Sequence, residues 1–512
     1  MKLSVKAALG VVSVVSLIFL SEMVFLNRVP EASDTVARYP INKWGEDYRQ
    51  RERGTAQWFP HLFSGMPSYG AYINTDQGPI NTLLRTLRVN KGIRFWIHFV
   101  LGGMTVFILL RRRKLSTVAA CFGALVYGLT PYLFGLINAG HGAKITAVGY
   151  LPLVILGFEY LLTRTTWRGI FYLGVASALQ LWSNHPQIVY YTWMLALFMF
   201  VWSQLHEVSQ RKWSPRMFVA RVGVIVGGIV VATLMVADPY VPVLQFQAHS
   251  TRGAPSVLDQ SRDTERGTGW DYATQWSFHP KETVSFIYPY FYGLQNAPTR
   301  DLKSAAYWGY MPFTQSTHYL GLLTILLAIL GLTLKKPDSF TLSMTVATAI
   351  ILVIGFGKYV PVLYWPLFKF APLFSKFRIP SMIYVLLPLT LGAVAAKGVD
   401  IVTALLAEGD KTLIGKLRIR SLAIFGTVIG ATILLLILGR PAYDAMGFFV
   451  KSGDPGRFQA NVLAQLKNVR LEIFQKGMLL ALFVSAGGLA SLWLGWRRTL
   501  KGETVCILLL GL

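Results

Sequence analysis

The sequence predicts an all-α polytopic membrane protein, and three observations predict it. Only 14% of the 512 residues are charged while 53% are hydrophobic, against about 25% charged in a soluble domain. Several stretches of ~17–22 mostly apolar residues follow one another, each long enough to cross a bilayer as a helix. No strand alternation is visible, so helices must satisfy the backbone within lipid. The formal net charge of +25 raises nucleic-acid binding, but its placement argues against that. Basic residues cluster in short loops between apolar spans, as the positive-inside rule requires. Cys121 and Cys506 both fall in apolar spans and imply no disulfide or metal framework.

The run Ala8–Leu26 is long and lacks an obvious small-residue cleavage site, so it reads as an uncleaved first helix, Lys6–Leu26, rather than a signal peptide. Lys2 and Lys6 place its start inside. Residues 27–92 then form a first outer loop. Within it Ile80, Leu83, Leu84 and Leu87 follow a helical period with Arg85 and Arg88 on another face, the pattern of an interfacial amphipathic helix. Helix two, Phe95–Leu110, ends in Arg111, Arg112, Arg113 and Lys114, the strongest inside signal. Helix three, Leu115–Ile137, returns outward to NAGHGAK. Helix four, Ile145–Leu162, descends to Arg164 and Arg168. Helix five, Gly169–Trp182, reaches SNHPQ outside. Helix six, Ile188–Trp202, ends before Arg211, Lys212 and Arg216. Helix seven, Val222–Ala237, opens a large outer loop, residues 238–317.

Helix eight, His318–Leu334, ends in Lys335 and Lys336, and helix nine, Ser339–Phe356, leads outward. Residues 357–380 are apolar but broken by Pro361, Pro366 and Pro372, which predicts a re-entrant or interfacial segment. Helix ten, Ser381–Ala396, leads to an inner loop with Lys411, Lys416, Arg418 and Arg420. Helices eleven, Ser421–Leu438, and twelve, Gly477–Trp496, complete a single transmembrane domain over residues 1–512. The last apolar run, Thr504–Leu512, is too short to span, and the chain is expected to continue beyond it.

The chemistry-bearing residues fall in the outer loops. Asp34, just past the first span, is able to take a proton from an acceptor hydroxyl or to hold a divalent metal such as Mg or Mn; the plainer role is a helix cap or solvated acid. Glu46 and Asp47 sit among Lys43, Arg49 and Arg51 and read as a solvated charge cluster. His141 and Lys144 open helix four beside Gly140 and Gly142, where free backbone N–H groups favour an anion; a glycine turn with a snorkelling lysine is the alternative. His185, with Asn184 and Gln187, lines a cavity or caps a helix. Arg252, His279, Lys281 and Glu282 bring charged groups to the large outer loop, and Arg252 joins His141, Lys144, His185 and Arg378 as a candidate substrate- or phosphate-binding residue; ordinary loop packing is the alternative. Lys358, Lys376 and Arg378 border the proline-broken segment, a pattern suited to a lipid phosphate or to an interfacial anchor. Trp58, Trp270 and Trp308 are candidates for stacking on sugar rings. No Walker loop, zinc signature, nucleophile elbow or dinucleotide fingerprint stands out.

Eight motifs, in order, resemble the bacterial YfhO-like membrane protein family. They are SDT (33–35), LFSGMPSY (62–69), GHGAKITAVGYLPLV (140–154), SNHPQIVYY (183–191), STRG (250–253), DYATQWSF (271–278), YWGYMPFT (307–314) and KFRIPSMI (376–383). The resemblance implies a GT-C-like bundle of about 12–13 transmembrane helices. It implies a glycosyltransferase taking a sugar from a polyprenyl-phosphate carrier at the outer face of the bacterial cytoplasmic membrane. The acceptor would be a cell-envelope glycan or lipid, and Asp34 would match the family's catalytic acid. Members often carry an acid after the histidine of the GHxAK motif; here Gly142 stands there. The competing expectation is a lipid or polysaccharide transporter. That requires ionisable residues inside the spans, where only Glu22, His98 and Glu159 are found, all near span ends.

Overall fold

The computed structural model describes residues 3–30, 32–54, 56–62, 64–68, 78–247, 249–250, 269–294, 302–314 and 317–512; the side chains of Ser33, Asp34 and Pro239 lie outside that description. The chain is an all-α polytopic membrane protein. Eight helices among the described residues are long and apolar enough to cross a membrane, and three shorter apolar helices accompany them.

The first apolar run breaks at Leu20 into α1 (Val5–Phe19) and α2 (Ser21–Phe25). The predicted outer loop holds an unexpected 20-residue helix, α3 (Ser33–Glu52). Its charged residues leave no apolar stripe to read; an i,i+4 ion pair, Lys43 to Asp47 at 2.8 Å, supports it instead. A two-stranded antiparallel ribbon follows, β1 (Trp58–Phe59) on β2 (Met66–Pro67). The expected amphipathic helix is α4 (Pro79–Thr86).

The bundle begins with α5 (Lys91–Arg112), capped by the Asn90 side chain. The predicted third helix is interrupted at Leu129–Thr130, giving α6 (Thr117–Gly128) and α7 (Pro131–Asn138); Pro131 has no N–H to continue the ladder and starts a new helix well. Then come α8 (Gly142–Thr163), α9 (Trp167–Leu181), α10 (Pro186–Ser209), α11 (Pro215–Met235) and α12 (Ala237–Gln247). A short α13 (Trp270–Ala273) and two 3-10 turns carry the described part of the large loop. Much of the loop's described part is buried aromatic packing.

The second half has α14 (Leu322–Leu334), α15 (Ser339–Gly355), the proline-opened α16 (Pro361–Phe370) and α17 (Leu387–Glu408). Residues 357–380 are broken, as predicted, into 3-10 turns around α16, and the irregular backbone runs on to Leu386, where helix ten was expected to have begun. Next is α18 (Lys411–Ile437), which absorbs the basic residues expected in an inner loop. Short α19 (Arg440–Ala445) and α20 (Asp454–Arg457) precede α21 (Ala460–Trp496), 37 residues long. At about 1.5 Å per residue it far exceeds the ~30 Å hydrocarbon core, so its first half stands clear of the membrane. The final run forms α22 (Gly502–Leu510), packed on α17 and α21.

Position in the bundle follows composition. The Pro380–Glu408 span is 83% buried, whereas the Lys411–Ile437 span is 17% buried, so α17 is central and α18 presents its apolar residues to lipid. Close approach of α14 and α17 rests on Gly331 and Gly398. A Cβ on Gly331 would lie 2.5 Å from Gly398 Cα, and one on Gly398 would run into the Leu327 carbonyl; small residues let membrane helices meet at the backbone.

The basic loops gather at one end. There Arg113 pairs with Glu159, Arg112 bonds Thr163 at 3.0 Å, Asp400 accepts from Ser116 N at 2.8 Å and Arg498 bonds the Gly409 carbonyl at 2.6 Å.

Replacing Gly398 by Val should force α14 and α17 apart, at a cost of about 1–3 kcal/mol or more. A lowered thermal midpoint in detergent, with Gly430→Val on the open face of α18 as the harmless control, checks this.

Candidate functional site

The described motif loops lie at the end of the bundle opposite the basic loops. Gly140 takes φ +75°, and a Cβ there would lie 2.6 Å from Thr35 Oγ1 and 2.9 Å from Ala32 Cβ. The GHGAK turn is therefore pressed against the first turn of α3, the turn whose backbone carries Asp34. The Asp34 side chain lies outside the described residues, and so does Arg252. Lys144 Nζ is 3.2 Å from His141 Nδ1, both half-buried where α8 begins.

A second convergence surrounds Arg378. Gln187 Nε2 donates to the Arg378 carbonyl at 2.6 Å and to Tyr191 Oη at 2.8 Å, joining SNHPQ to KFRIP. His185 does the plainer work of a cap, its Nδ1 accepting from Ile188 N at 3.3 Å. The Arg378 guanidinium donates to Tyr272 Oη at 3.1 Å and lies over the Tyr272 and Trp276 rings, 5.2 and 5.8 Å from their centroids. Such contacts orient a guanidinium while leaving donors for a further acceptor. Trp276 is fixed in turn by Nε1 donating to the Phe313 carbonyl at 3.0 Å. The next residue, Ile379, takes φ +65°, an outlier for a β-branched side chain, and such strain concentrates at functional sites.

An apolar groove of about 520 Å³ opens between Trp270, Pro361, Val362, Trp365 and Pro366, Trp270 sharing the short helix α13 with Tyr272. Trp270 packs edge-on against Tyr364 and Phe368 at 5.8 and 5.4 Å, and Lys369 sits 5.3 Å over the Trp365 ring. Tyr272 and Trp276 carry no signal of their own in the sequence. Their spacing in DYATQWSF puts both against one cation, which only the contact with residues 376–378 reveals.

Of the three stacking candidates, Trp58 is 54% exposed and Trp270 half-exposed. Trp308 is not available. It is buried against Tyr292, Phe448 and Phe449 at 4.6, 5.5 and 5.3 Å. The apolar C-terminal segment around residue 448 needs a partner, and the flat indole covers it.

The loop that carries Trp308 is clamped by three charged side chains. Arg470, 1% exposed, pairs with Asp454 at 2.5 Å and donates to the Ala305 carbonyl at 2.7 Å. Lys451 Nζ donates to the Met311 and Pro312 carbonyls at 2.6 and 2.7 Å. Glu282, 2% exposed, accepts from Tyr310 N at 2.7 Å and from Tyr307 Oη at 3.0 Å. Burial raises the Glu282 carboxyl to about 7, against the opposing pull of these hydrogen bonds.

Among the described residues no three His, Cys, Asp or Glu side chains converge as a metal-ligand set, so the expectation of Mg or Mn rests on Asp34 alone. Comparison with protein-family models, curated proteins and solved structures finds no match.

Because the folded chain holds the Glu282 proton more tightly than the unfolded one, the associated stability is full below the ordinary carboxyl value and is lost as pH rises through about 7. Thermal midpoints measured from about pH 5 to pH 8 should fall in the native chain and fall less in Glu282→Gln. Parallel profiles would show that another group controls the slope.

Proposed function

We propose that this chain is a membrane glycosyltransferase. It would move a sugar from a polyprenyl-phosphate carrier to a glycan or lipid acceptor at the outer face of the bacterial cytoplasmic membrane. One observation carries the reading: a guanidinium seated on two aromatic rings, one of them on the same short helix, α13, as the Trp270 wall of an open apolar groove. Leaving-group phosphate needs a preorganised cation, and a prenyl chain needs an apolar channel; Arg378 and the Trp270–Trp365 groove supply them. The order and content of the YfhO-like motifs support the same activity and a GT-C-like arrangement.

In this scheme Asp34 takes the acceptor hydroxyl proton as general base or holds a divalent cation, and the hydroxyl oxygen then attacks the anomeric carbon. The C–O bond to phosphate breaks with its electron pair leaving on the phosphate, which Arg378 neutralises. Lys144, with His141 beside it at the α3 start, would offer a positive charge to a phosphate held near Asp34. Trp58 and Trp270 remain as candidate platforms for a sugar ring. Asp47, tied to Lys43, is a solvated charge with no part in the chemistry.

The purified chain incubated with labelled polyprenyl-phosphate sugars should release or transfer sugar. Asp34→Asn should lower the rate by about 10²–10⁴ with donor binding intact, and Asp47→Asn should not. Arg378→Ala should weaken donor binding by about 1.5–3 kcal/mol. Normal turnover in Asp34→Asn together with normal donor affinity in Arg378→Ala would sink the reading.

The orientation has its own check. Both native cysteines are buried. An impermeant maleimide added outside intact cells should mark Lys281→Cys and miss Lys212→Cys, both at exposed positions; the opposite pattern would invert the topology.

A further inference from the structure

The motif end carries a run of exposed rings that the transfer chemistry does not use. His279 stacks on Tyr310, their centroids 3.8 Å apart and their planes 13° apart, and meets Tyr359 edge-on at 4.6 Å. Trp276, three residues before His279, meets Phe313, three residues after Tyr310, edge-on at 5.3 Å. Residues 276–279 and 310–313 are thus paired, and with Tyr359 they present one ledge. Its Tyr310, Phe313 and Tyr359 rings are 44%, 48% and 37% exposed. The backbone beneath is fixed. Buried Glu282 accepts from Tyr310 N, Lys451 donates to the Met311 and Pro312 carbonyls, and Trp276 Nε1 donates to the Phe313 carbonyl. Trp276 also carries the Arg378 guanidinium on its ring, so the ledge adjoins the candidate site.

The ring edges are polar and open. Among the described residues no hydrogen bond engages Tyr310 Oη or Tyr359 Oη. His279 Nδ1 accepts from Lys281 N at 3.1 Å, which leaves the proton of the neutral ring on Nε2 as a donor. Flat faces with hydroxyl and imidazole edges offer apolar contact and hydrogen bonds at one place. A pyranose matches that pattern, with C–H groups on its face and hydroxyls around its rim. An acyl chain would leave the polar edges unused. Aromatics of a membrane-interface belt need only be amphipathic at headgroup depth; they do not call for a loop clamped from below by buried charges. The charge around the rings is one-sided. Residues 276–282, 307–314 and 356–360 contain one acid, Glu282, which is buried, whereas Lys281 and Lys358 are exposed.

We infer that the Tyr310–Phe313 ledge binds a saccharide chain that carries negative charge, such as one built of uronic acids. Sugar rings stack on Tyr310 and Phe313, their hydroxyls bond His279 Nε2 and Tyr359 Oη, and Lys281 and Lys358 face the carboxylates. That the bound chain is the acceptor rests on the glycosyltransferase reading; that it binds does not.

The test uses the full chain in neutral detergent with no lipid donor present, titrated calorimetrically with a mannuronate hexasaccharide or with neutral maltohexaose. The native chain should bind the mannuronate chain more tightly than maltohexaose. Tyr310→Ala and Phe313→Ala should each weaken mannuronate binding about three- to tenfold; both remove exposed rings and leave the backbone bonds of the clamp in place. Lys358→Gln should weaken it about two- to fivefold and leave maltohexaose unaffected. Tyr39→Ala, which removes an exposed ring on α3, should change neither. No binding of the mannuronate chain, equal affinity for the two sugars, or unchanged affinity in both Tyr310→Ala and Phe313→Ala would each overturn the proposal. With no donor present, such a failure leaves the transferase reading standing, and absent transfer with intact binding leaves the ledge standing.

Discussion

Residues 379–386 set the terms for much of the molecule. Here the chain leaves the α conformation within an apolar span: Ile379 is left-handed and Pro380–Leu386 form a 3-10 helix with every residue buried. Non-helical backbone at membrane depth survives only when protein encloses it and meets its polar groups. The surrounding elements enclose it. Gln187 from the start of α10 bonds the Arg378 carbonyl, Tyr384 Oη bonds the Leu352 carbonyl of α15 at 3.1 Å, and Phe278 N bonds the Gly355 carbonyl at 3.0 Å. Enclosing one irregular segment thus gathers α10, α15 and the large loop around residues 378–386. The enclosure that the backbone requires is what places Tyr272 and Trp276 against that cation.

A second tie holds the same region from the C-terminal side. The buried Arg470–Asp454 pair, Lys451 and Glu282 all bond main-chain or hydroxyl groups of residues 305–312. A buried ion pair is a poor source of net stability, but breaking it leaves an uncompensated charge; its effect is to fix one arrangement of the loop. The overlong α21 makes this possible, because its first half rises beyond the bilayer and carries Arg470 to the loop. The two ends of the bundle therefore differ in kind. The basic end is a set of short capped turns with local ion pairs. The motif end is a layer of aromatic packing and irregular backbone held by long-range bonds.

The sequence by itself determined the membrane class, the order of most apolar helices, the break at 357–380 and the amphipathic α4; it expected about 12–13 spans, where eight helices among the described residues are long and apolar enough to cross. These follow from local quantities: apolar length against bilayer thickness, proline's missing N–H, and periodicity within one segment. It also marked His141, Lys144, His185 and Arg378 as polar groups out of place in an apolar chain. It could not show α3, whose helix is supported by spaced charges rather than an apolar stripe, nor the split of the third helix at Thr130, nor the length of α21. Only the tertiary structure decided that Trp308 is core, that His185 caps a helix, and that Tyr272 and Trp276 hold Arg378. Only it showed that Glu282 is a buried anchor. An aromatic or acidic side chain has one local preference whether it faces a cavity or a core. Burial and partner are set by segments a hundred residues or more away, as when Arg378 meets Tyr272 across 106 positions, and no local pattern encodes that meeting.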